Sequence, residues 1–161
     1  KSFAMTGWRL GYIGASLHIA QACTKIQGQF TSGTSGISQR AAIAAVSAEP
    51  SVVHEMRDAF LNRRDFILKE LNKINGININ KPQGAFYVFP DVSAFFNKSY
   101  GGFNVTNSDQ LAIYILETAK VAVVTGNAFG SPNCIRISYA SSMVKLKEAM
   151  DRIATALNNL N

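Results

Sequence analysis

Two short clusters in the sequence hold residue types that can do chemistry. The first occupies residues 1–12 and contains Lys1 and Arg9, which stand eight positions apart. The second is the run of residues 134–140, which is mostly apolar but contains Arg136. A lysine amine can act as a nucleophile, and a guanidinium binds carboxylate or phosphate groups through paired N–H donors. Taken singly, none of these residues is diagnostic, because most lysines are surface residues.

Arg136 allows two interpretations. An arginine within an otherwise apolar strand is costly to bury unless it meets an anion, and its planar fork matches a carboxylate in a bidentate way. The anion could belong to a structural ion pair with Asp or Glu, which is the usual partner of such an arginine. It could also belong to a bound ligand. From these residues alone, both interpretations stay open.

The charge of the chain does not indicate a nucleic-acid partner. Sixteen Lys and Arg against ten Asp and Glu give a formal charge of +6, which could suit a polyanion. However, the basic residues are scattered, and the densest stretch, residues 57–73, alternates them with acidic residues as a solvated helix face does. No nucleic-acid recognition motif accompanies the charge. We therefore expect no nucleic-acid partner.

Membrane, metal and disulfide sites are also not expected. The sequence has no run of about 18 apolar residues and no pattern typical of a signal peptide at its start. Cys23 and Cys134 are too few and too far apart for a metal site or a disulfide framework, so we expect both to be packing residues in a reducing compartment. His18 and His54 have no further ligand at suitable spacing.

The first half of the chain is predicted to be mainly helical. Periodicity and turn signals predict a short strand over residues 6–15, a helix over 17–29, a break at 31–36 and an alanine-rich helix over 37–47. Pro50 suits the first turn of a long helix that runs to Ile74, and Gly76 ends it.

The second half is predicted to be an α/β unit. We expect strands over residues 85–89, 121–124 and 134–139, with a glycine-rich turn at 126–132 between the last two. A helix over 108–120 should be capped by Asn107 or Ser108, and a final amphipathic helix by Ser141 or Ser142. We place the domain boundary inside the long helix near Asn62, which gives domains of residues 1–61 and 62–161.

The two clusters resemble those of a known family. Residues 4–9, Ala-Met-Thr-Gly-Trp-Arg, are similar to the signature around the Schiff-base lysine of class I and II aminotransferases, which are fold-type I enzymes dependent on pyridoxal 5'-phosphate (PLP). Residues 134–140 resemble the small-domain strand whose arginine holds the substrate α-carboxylate. Residues 27–39, 63–65 and 84–90 also follow the family. Gly33 and Thr34 depart from a common Asn-Pro, and Thr125 from a proline, so the loop geometry there can differ.

The resemblance implies a role for each site residue. Lys1 would form the Schiff base with PLP and shuttle the proton between the substrate Cα and the cofactor C4′, Arg9 would bind the cofactor phosphate, and Arg136 would bind the substrate α-carboxylate. The implied reaction is transamination between an amino acid, expected to be aspartate or glutamate, and a 2-oxo acid. The implied protein is a cytoplasmic homodimer of the aspartate aminotransferase type.

The implied α/β fold is the C-terminal part of a PLP-dependent transferase: a remnant of the large domain, a long connecting helix and a small α/β domain. We expect the chain to be a fragment that starts at the Schiff-base lysine and to be inactive alone. Two alternatives stay open. One is a different fold-type I enzyme, such as a carbon–sulfur β-lyase or a synthase. The other is a non-catalytic regulator domain that senses PLP or an amino acid.

Overall fold

The chain divides into two units. The computed structural model describes residues 2–161, so the predicted catalytic residue Lys1 lies outside the described residues. One unit ends at Arg57 and the other spans Asp58–Asn161. The division falls within a helix, and the domain boundary near Asn62 stays a prediction. Each unit is described by itself below.

The N-terminal unit is helical. It contains helices α1 (Leu17–Phe30) and α2 (Gly36–Val46), 3₁₀ turns at Thr6–Trp8 and Pro50–Val53, and the start of α3 (His54–Leu71). Among residues 2–57, Ser38 alone is buried, whereas large apolar side chains such as Tyr12 are almost fully exposed. The described part of this unit therefore has no apolar core of its own.

The strand predicted over residues 6–15 is wrong. Thr6–Trp8 forms a 3₁₀ turn, Arg9 adopts a left-handed backbone with φ of 51°, and residues 9–16 belong to no helix or strand. A β-strand requires a neighbouring strand to accept and donate its backbone hydrogen bonds. Residues 2–57 contain no strand that could do so. The Trp, Leu, Tyr and Ile pattern is therefore not sufficient to form one.

The C-terminal unit contains most of α3, a sheet, a hairpin and two further helices. Strands β1 (Tyr87–Val88), β4 (Val124–Thr125) and β5 (Ile135–Ser138) form an antiparallel sheet in the order β1-β5-β4. Strands β2 (Lys98–Tyr100) and β3 (Phe103–Val105) form a separate antiparallel hairpin. Helices α4 (Ser108–Ala119) and α5 (Met143–Asn159) complete the unit. The hairpin was not predicted.

The sheet buries one of its faces. Along β5, Ile135 and Ile137 are buried, whereas Arg136 and Ser138 are more exposed, as the alternation of side chains in a strand requires. The buried residues join one apolar cluster with side chains of α4 and α5. Within it, the Tyr114 hydroxyl donates to the Ala156 carbonyl at 2.8 Å, and burial raises the pKa of Tyr114. Because Arg136 alternates with the buried Ile135 and Ile137, its side chain lies on the face of the sheet away from this core.

The helix ends of this unit follow from local sequence. The Asn107 side chain accepts a hydrogen bond from the Gln110 backbone N–H at 3.0 Å, and Ser142 accepts one from that of Lys145 at 3.3 Å. Each satisfies a backbone N–H that the helix itself leaves unpaired. Of the caps considered, Asn107 and Ser142 are thus the ones used.

No helix within residues 2–161 combines the length and the apolar character needed to cross a membrane.

Candidate active site

Arg9 follows the first 3₁₀ turn and is exposed. Its backbone N–H donates to the Thr6 carbonyl at 3.4 Å, and its Nη1 donates to the same oxygen at 3.2 Å. Among the residues that the structure describes, no carboxylate lies within ion-pair distance of this guanidinium. Most of its N–H donors are therefore available to an anion.

Ser38 connects the turn before Arg9 to helix α2. Its hydroxyl donates to the Trp8 carbonyl at 2.9 Å, and the residue is 7% exposed. This bond fixes the backbone directly before Arg9 against the first turn of α2. The sequence carries no signal of this bond, since a serine outside a nucleophile motif does not indicate a tertiary hydrogen bond. Its role here is structural.

Arg136 lies on the central strand β5 and is half-buried. Its Cζ lies 4.4 Å from the ring centroid of Tyr87 and 4.4 Å from that of Phe129. Within residues 2–161, its guanidinium makes no hydrogen bond and no ion pair. Arg64, by contrast, forms an ion pair with Asp65, with 2.8 Å between nitrogen and oxygen. The described residues thus give Arg136 aromatic neighbours but no anion.

The aromatic neighbours of Arg136 are held by other contacts. Tyr87 pairs with Ser138 in the β1–β5 ladder, so it lies on the same sheet face as Arg136. Phe129 meets Phe89 edge-on, with centroids 6.0 Å apart and rings at 85°. An edge-to-face pair is a favourable aromatic geometry. Phe89 thus supports Phe129, which in turn contacts Arg136.

The loop that carries Phe129 is closed by several hydrogen bonds. The Thr125 hydroxyl accepts from the Asn127 backbone N–H at 3.3 Å and bonds the Ser108 hydroxyl at 2.9 Å. The Asn127 amide donates to Asp109 at 2.7 Å. The bonds to Ser108 and Asp109 connect the loop to the first turn of α4. Thr125, which departs from the family's common proline, therefore has its own stabilising role in this turn.

Gly126 occupies a place in this loop where no side chain fits. A Cβ at this position would lie 2.1 Å from the Ser131 carbonyl oxygen and 2.4 Å from that of Cys134. Both are backbone atoms of the tight turn, and Gly126 itself donates its N–H to the Cys134 carbonyl at 2.7 Å. The chain cannot relieve this overlap without opening the turn.

We therefore predict that Gly126→Ala destabilises the full-length protein by about 1–3 kcal/mol, the usual cost of overpacking a tight site. Gly84→Ala is the matched control, because nothing lies within 4 Å of its added Cβ. Denaturant unfolding of the two variants measures the difference. Equal stability of the two variants would show that the turn can open at no cost.

The other sequence candidates contribute no site. Burial raises the pKa of the Cys134 thiol, against the opposing effect of a hydrogen bond with Ser131, so the thiol stays protonated at neutral pH. His18 and His54 are exposed. Among residues 2–161, no group of three His, Cys, Asp or Glu side chains is placed to hold a metal ion.

The predicted site residues are distributed over the two units. Arg9 belongs to the N-terminal unit and Arg136 to the C-terminal unit. Sequence reasoning missed the contact of Tyr87 and Phe129 with Arg136. The signal that could have indicated part of it is the spacing of Tyr87 and Phe89, which places two aromatic rings on one face of a strand.

The chain is similar to known proteins over most of its length. The family model described as aminotransferase class I and II matches residues 1–153. The bifunctional aspartate aminotransferase and glutamate/aspartate-prephenate aminotransferase of Petunia hybrida is 49% identical over 161 residues, covering 98% of this chain and 34% of that protein. The aspartate aminotransferase of Pinus pinaster is 46% identical, covering 98% of this chain and 33% of that protein.

A solved structure shows the same fold. The crystal structure of the aspartate aminotransferase from Rhizobium meliloti superposes with a TM-score of 0.89 at 40% identity, covering 100% of this chain and 40% of that one. The chain thus spans only about a third to two fifths of the length of these relatives. Because the family model covers nearly all of it, the chain belongs to the class I and II aminotransferases.

Proposed function

We propose that this chain supplies the C-terminal part of a PLP-dependent aminotransferase that transfers an amino group between an amino acid and a 2-oxo acid. The observation that carries the proposal is the state of Arg136, a half-buried guanidinium without a carboxylate partner among the described residues. Such a cation suits the α-carboxylate that both substrates share. The names of the relatives favour aspartate as the amino acid.

The described residues fit the proposed cofactor at its phosphate. The Arg9 guanidinium is exposed and, among residues 2–161, forms one side-chain hydrogen bond, to the Thr6 carbonyl. Its remaining N–H donors match a dianionic phosphate, which arginine binds in a bidentate way. When bound, PLP supplies an electron sink that makes the substrate Cα–H acidic. The phosphate site and the acid–base site would thus both lie in the first nine residues.

We assign the residues of this chain three tasks. The Lys1 amine would anchor the cofactor covalently and, once substrate has taken its place, accept the proton from the substrate Cα and deliver it to the cofactor carbon C4′. Arg9 would hold the phosphate, and Arg136 would hold the α-carboxylate. One carboxylate site would serve both half-reactions, because the amino acid and the 2-oxo acid differ at Cα and not at the carboxylate.

We also propose that the active protein is a homodimer in the cytoplasm, with residues 1–61 belonging to a large domain and residues 62–161 to a small domain. The N-terminal unit exposes many large apolar side chains, including Tyr12, Leu17 and Phe30. Exposed apolar surface of this extent is typical of a protein interface. Further protein, from the rest of a large domain and from a second subunit, would cover it.

The test is an amino-transfer assay on the full-length protein. Incubated with PLP, aspartate and 2-oxoglutarate, it should form oxaloacetate and glutamate in equal amounts. A β-lyase would instead release ammonia, a thiol and a 2-oxo acid from a sulfur amino acid. A regulator domain would turn over neither mixture. Ammonia release without amino transfer, or no turnover with any amino acid, would refute the proposed function.

A further inference from the structure

We propose that Phe129 and Tyr87 are positioning residues that hold the Arg136 guanidinium ready for a carboxylate. The inference rests on the proposed function, since it concerns the arginine assigned to the α-carboxylate. The Cζ atom of Arg136 lies 4.4 Å from both ring centroids and over both rings. Both distances are well within the range of a cation–π contact.

Cation–π contacts position a guanidinium without using its hydrogen-bond donors. The attraction acts between the positive charge and the ring face, so the N–H groups stay available. This is the state of Arg136, which makes no hydrogen bond to the described residues. An ion pair with Asp or Glu would have held the side chain equally well but would have used the same donors that a substrate carboxylate needs. The aromatic rings avoid this competition.

The two rings can act as a fixed support because each is anchored separately. Tyr87 lies in the β1–β5 ladder, next to the strand that carries Arg136. Phe129 lies in the closed turn after β4 and is braced edge-on by Phe89. That turn is connected to α4 by the hydrogen bond from Asn127 to Asp109. The long Arg136 side chain is therefore ordered when the protein folds. Substrate binding then does not include the loss of conformational entropy of this side chain.

Preorganisation of this kind predicts a distinct kinetic effect. The α-carboxylate keeps its charge and place throughout the reaction, so its arginine contributes equally to the ground state and the transition state. Loss of such uniform binding raises KM and leaves kcat almost unchanged. The increase should be the same for the amino acid and the 2-oxo acid, because both present the same carboxylate.

The test is Phe129→Leu in the full-length protein. We expect KM for aspartate and for 2-oxoglutarate to rise together by about 3-fold to 30-fold, the range of one cation–π contact, with kcat little changed. Phe129→Tyr, which retains a ring, should behave like the unmodified protein. Phe103→Leu is the matched control, since Phe103 packs edge-on against Tyr114 and makes no contact with Arg136.

A double-mutant cycle with Arg136→Ala tests whether Phe129 acts through the arginine. If it does, Phe129→Leu should cause no further loss of kcat/KM once Arg136 is absent. Two losses that simply multiply would overturn the proposal, and so would an unchanged KM in the single variant. Phe129 is about half exposed, so folding should survive its replacement. Phe129→Met provides a second ring-free variant should leucine lower the melting temperature.

Failure of the proposed positioning role of Phe129 and Tyr87 can be distinguished from failure of the proposed aminotransferase function. Butanoate, a carboxylate without an amino group, cannot react, and calorimetry measures its binding directly. Binding that needs Arg136 but is indifferent to Phe129→Leu would refute the positioning role and leave the aminotransferase proposal intact. Binding that weakens in both variants, in a protein without amino transfer, would support the positioning role and refute the proposed reaction.

Discussion

Lys1→Ala in the full-length protein should lower kcat for amino transfer by at least about 10²–10⁴-fold, the usual contribution of a positioned acid–base group. The loss of covalent capture should add to it, because the same amine is assigned both tasks. The proton at the substrate Cα would then have no basic side chain at that position. Steady-state turnover with aspartate and 2-oxoglutarate measures this effect.

The cofactor of this variant gives an independent readout. Borohydride reduction followed by mass spectrometry should find PLP attached to Lys1 in the unmodified protein and nowhere in the variant. Some PLP should still bind without a covalent bond, because the Arg9 guanidinium remains. Lys25→Ala is the matched control, since Lys25 is exposed on α1 of the same unit. Near-normal turnover of Lys1→Ala, with the visible band of anchored cofactor retained, would contradict our assignment.

Helices were predicted well because their signals are local. The apolar spacing of α1 and the caps of α4 and α5 depend on residues within about one turn of each other. The strands were predicted less well, because a strand forms only where a distant segment of the chain pairs with it. The apolar run at residues 121–124 was predicted as a strand, yet β4 consists of Val124–Thr125, the residues that pair with Arg136 and Ile135 of β5. An apolar run indicates burial, but only a neighbouring strand decides which residues join the ladder.

The unpredicted hairpin had a signal in the sequence. Gly101 and Gly102 both adopt positive φ, at 58° and 85°, and connect β2 to β3. A pair of glycines between two short runs that contain aromatic residues is typical of a two-residue hairpin turn. The runs are only three residues each, which is too short for alternation to be evident. Turn chemistry was thus the more informative signal here.

Candidate roles for the site residues could be proposed from the sequence, whereas the contacts that support Arg136 could not. Lys1, Arg9 and Arg136 stand within motifs that resemble a family, so their candidate roles followed from sequence. The contacts of Arg136 with Tyr87 and Phe129 join residues about 50 and 7 positions away along the chain. No local pattern specifies such a tertiary contact. The departure at Thr125 could likewise be recognised, but its hydrogen bond with Ser108 could not.

Arg136→Ala in the full-length protein should impair both half-reactions to the same degree. Removing one member of a desolvated charge pair costs about 2–5 kcal/mol, which corresponds to a loss of roughly 30-fold to several thousand-fold in kcat/KM. Every amino acid and every 2-oxo acid should be affected, because all present the same α-carboxylate. PLP should stay bound, since its phosphate is assigned to Arg9. Arg152→Ala is the matched control, because Arg152 forms an exposed ion pair with Glu148 and should contribute little.

Three roles of Arg136 predict three different results in this experiment. A carboxylate-binding arginine predicts a loss common to aspartate and to an apolar amino acid, with the melting temperature nearly unchanged. A structural arginine predicts a lower melting temperature and a modest kinetic loss. An arginine that reads the substrate side chain predicts a loss only for acidic substrates, because apolar substrates have no second carboxylate to lose. Measuring kcat/KM for both amino acids beside the melting temperature separates the three, and a defect confined to aspartate would refute our assignment of Arg136.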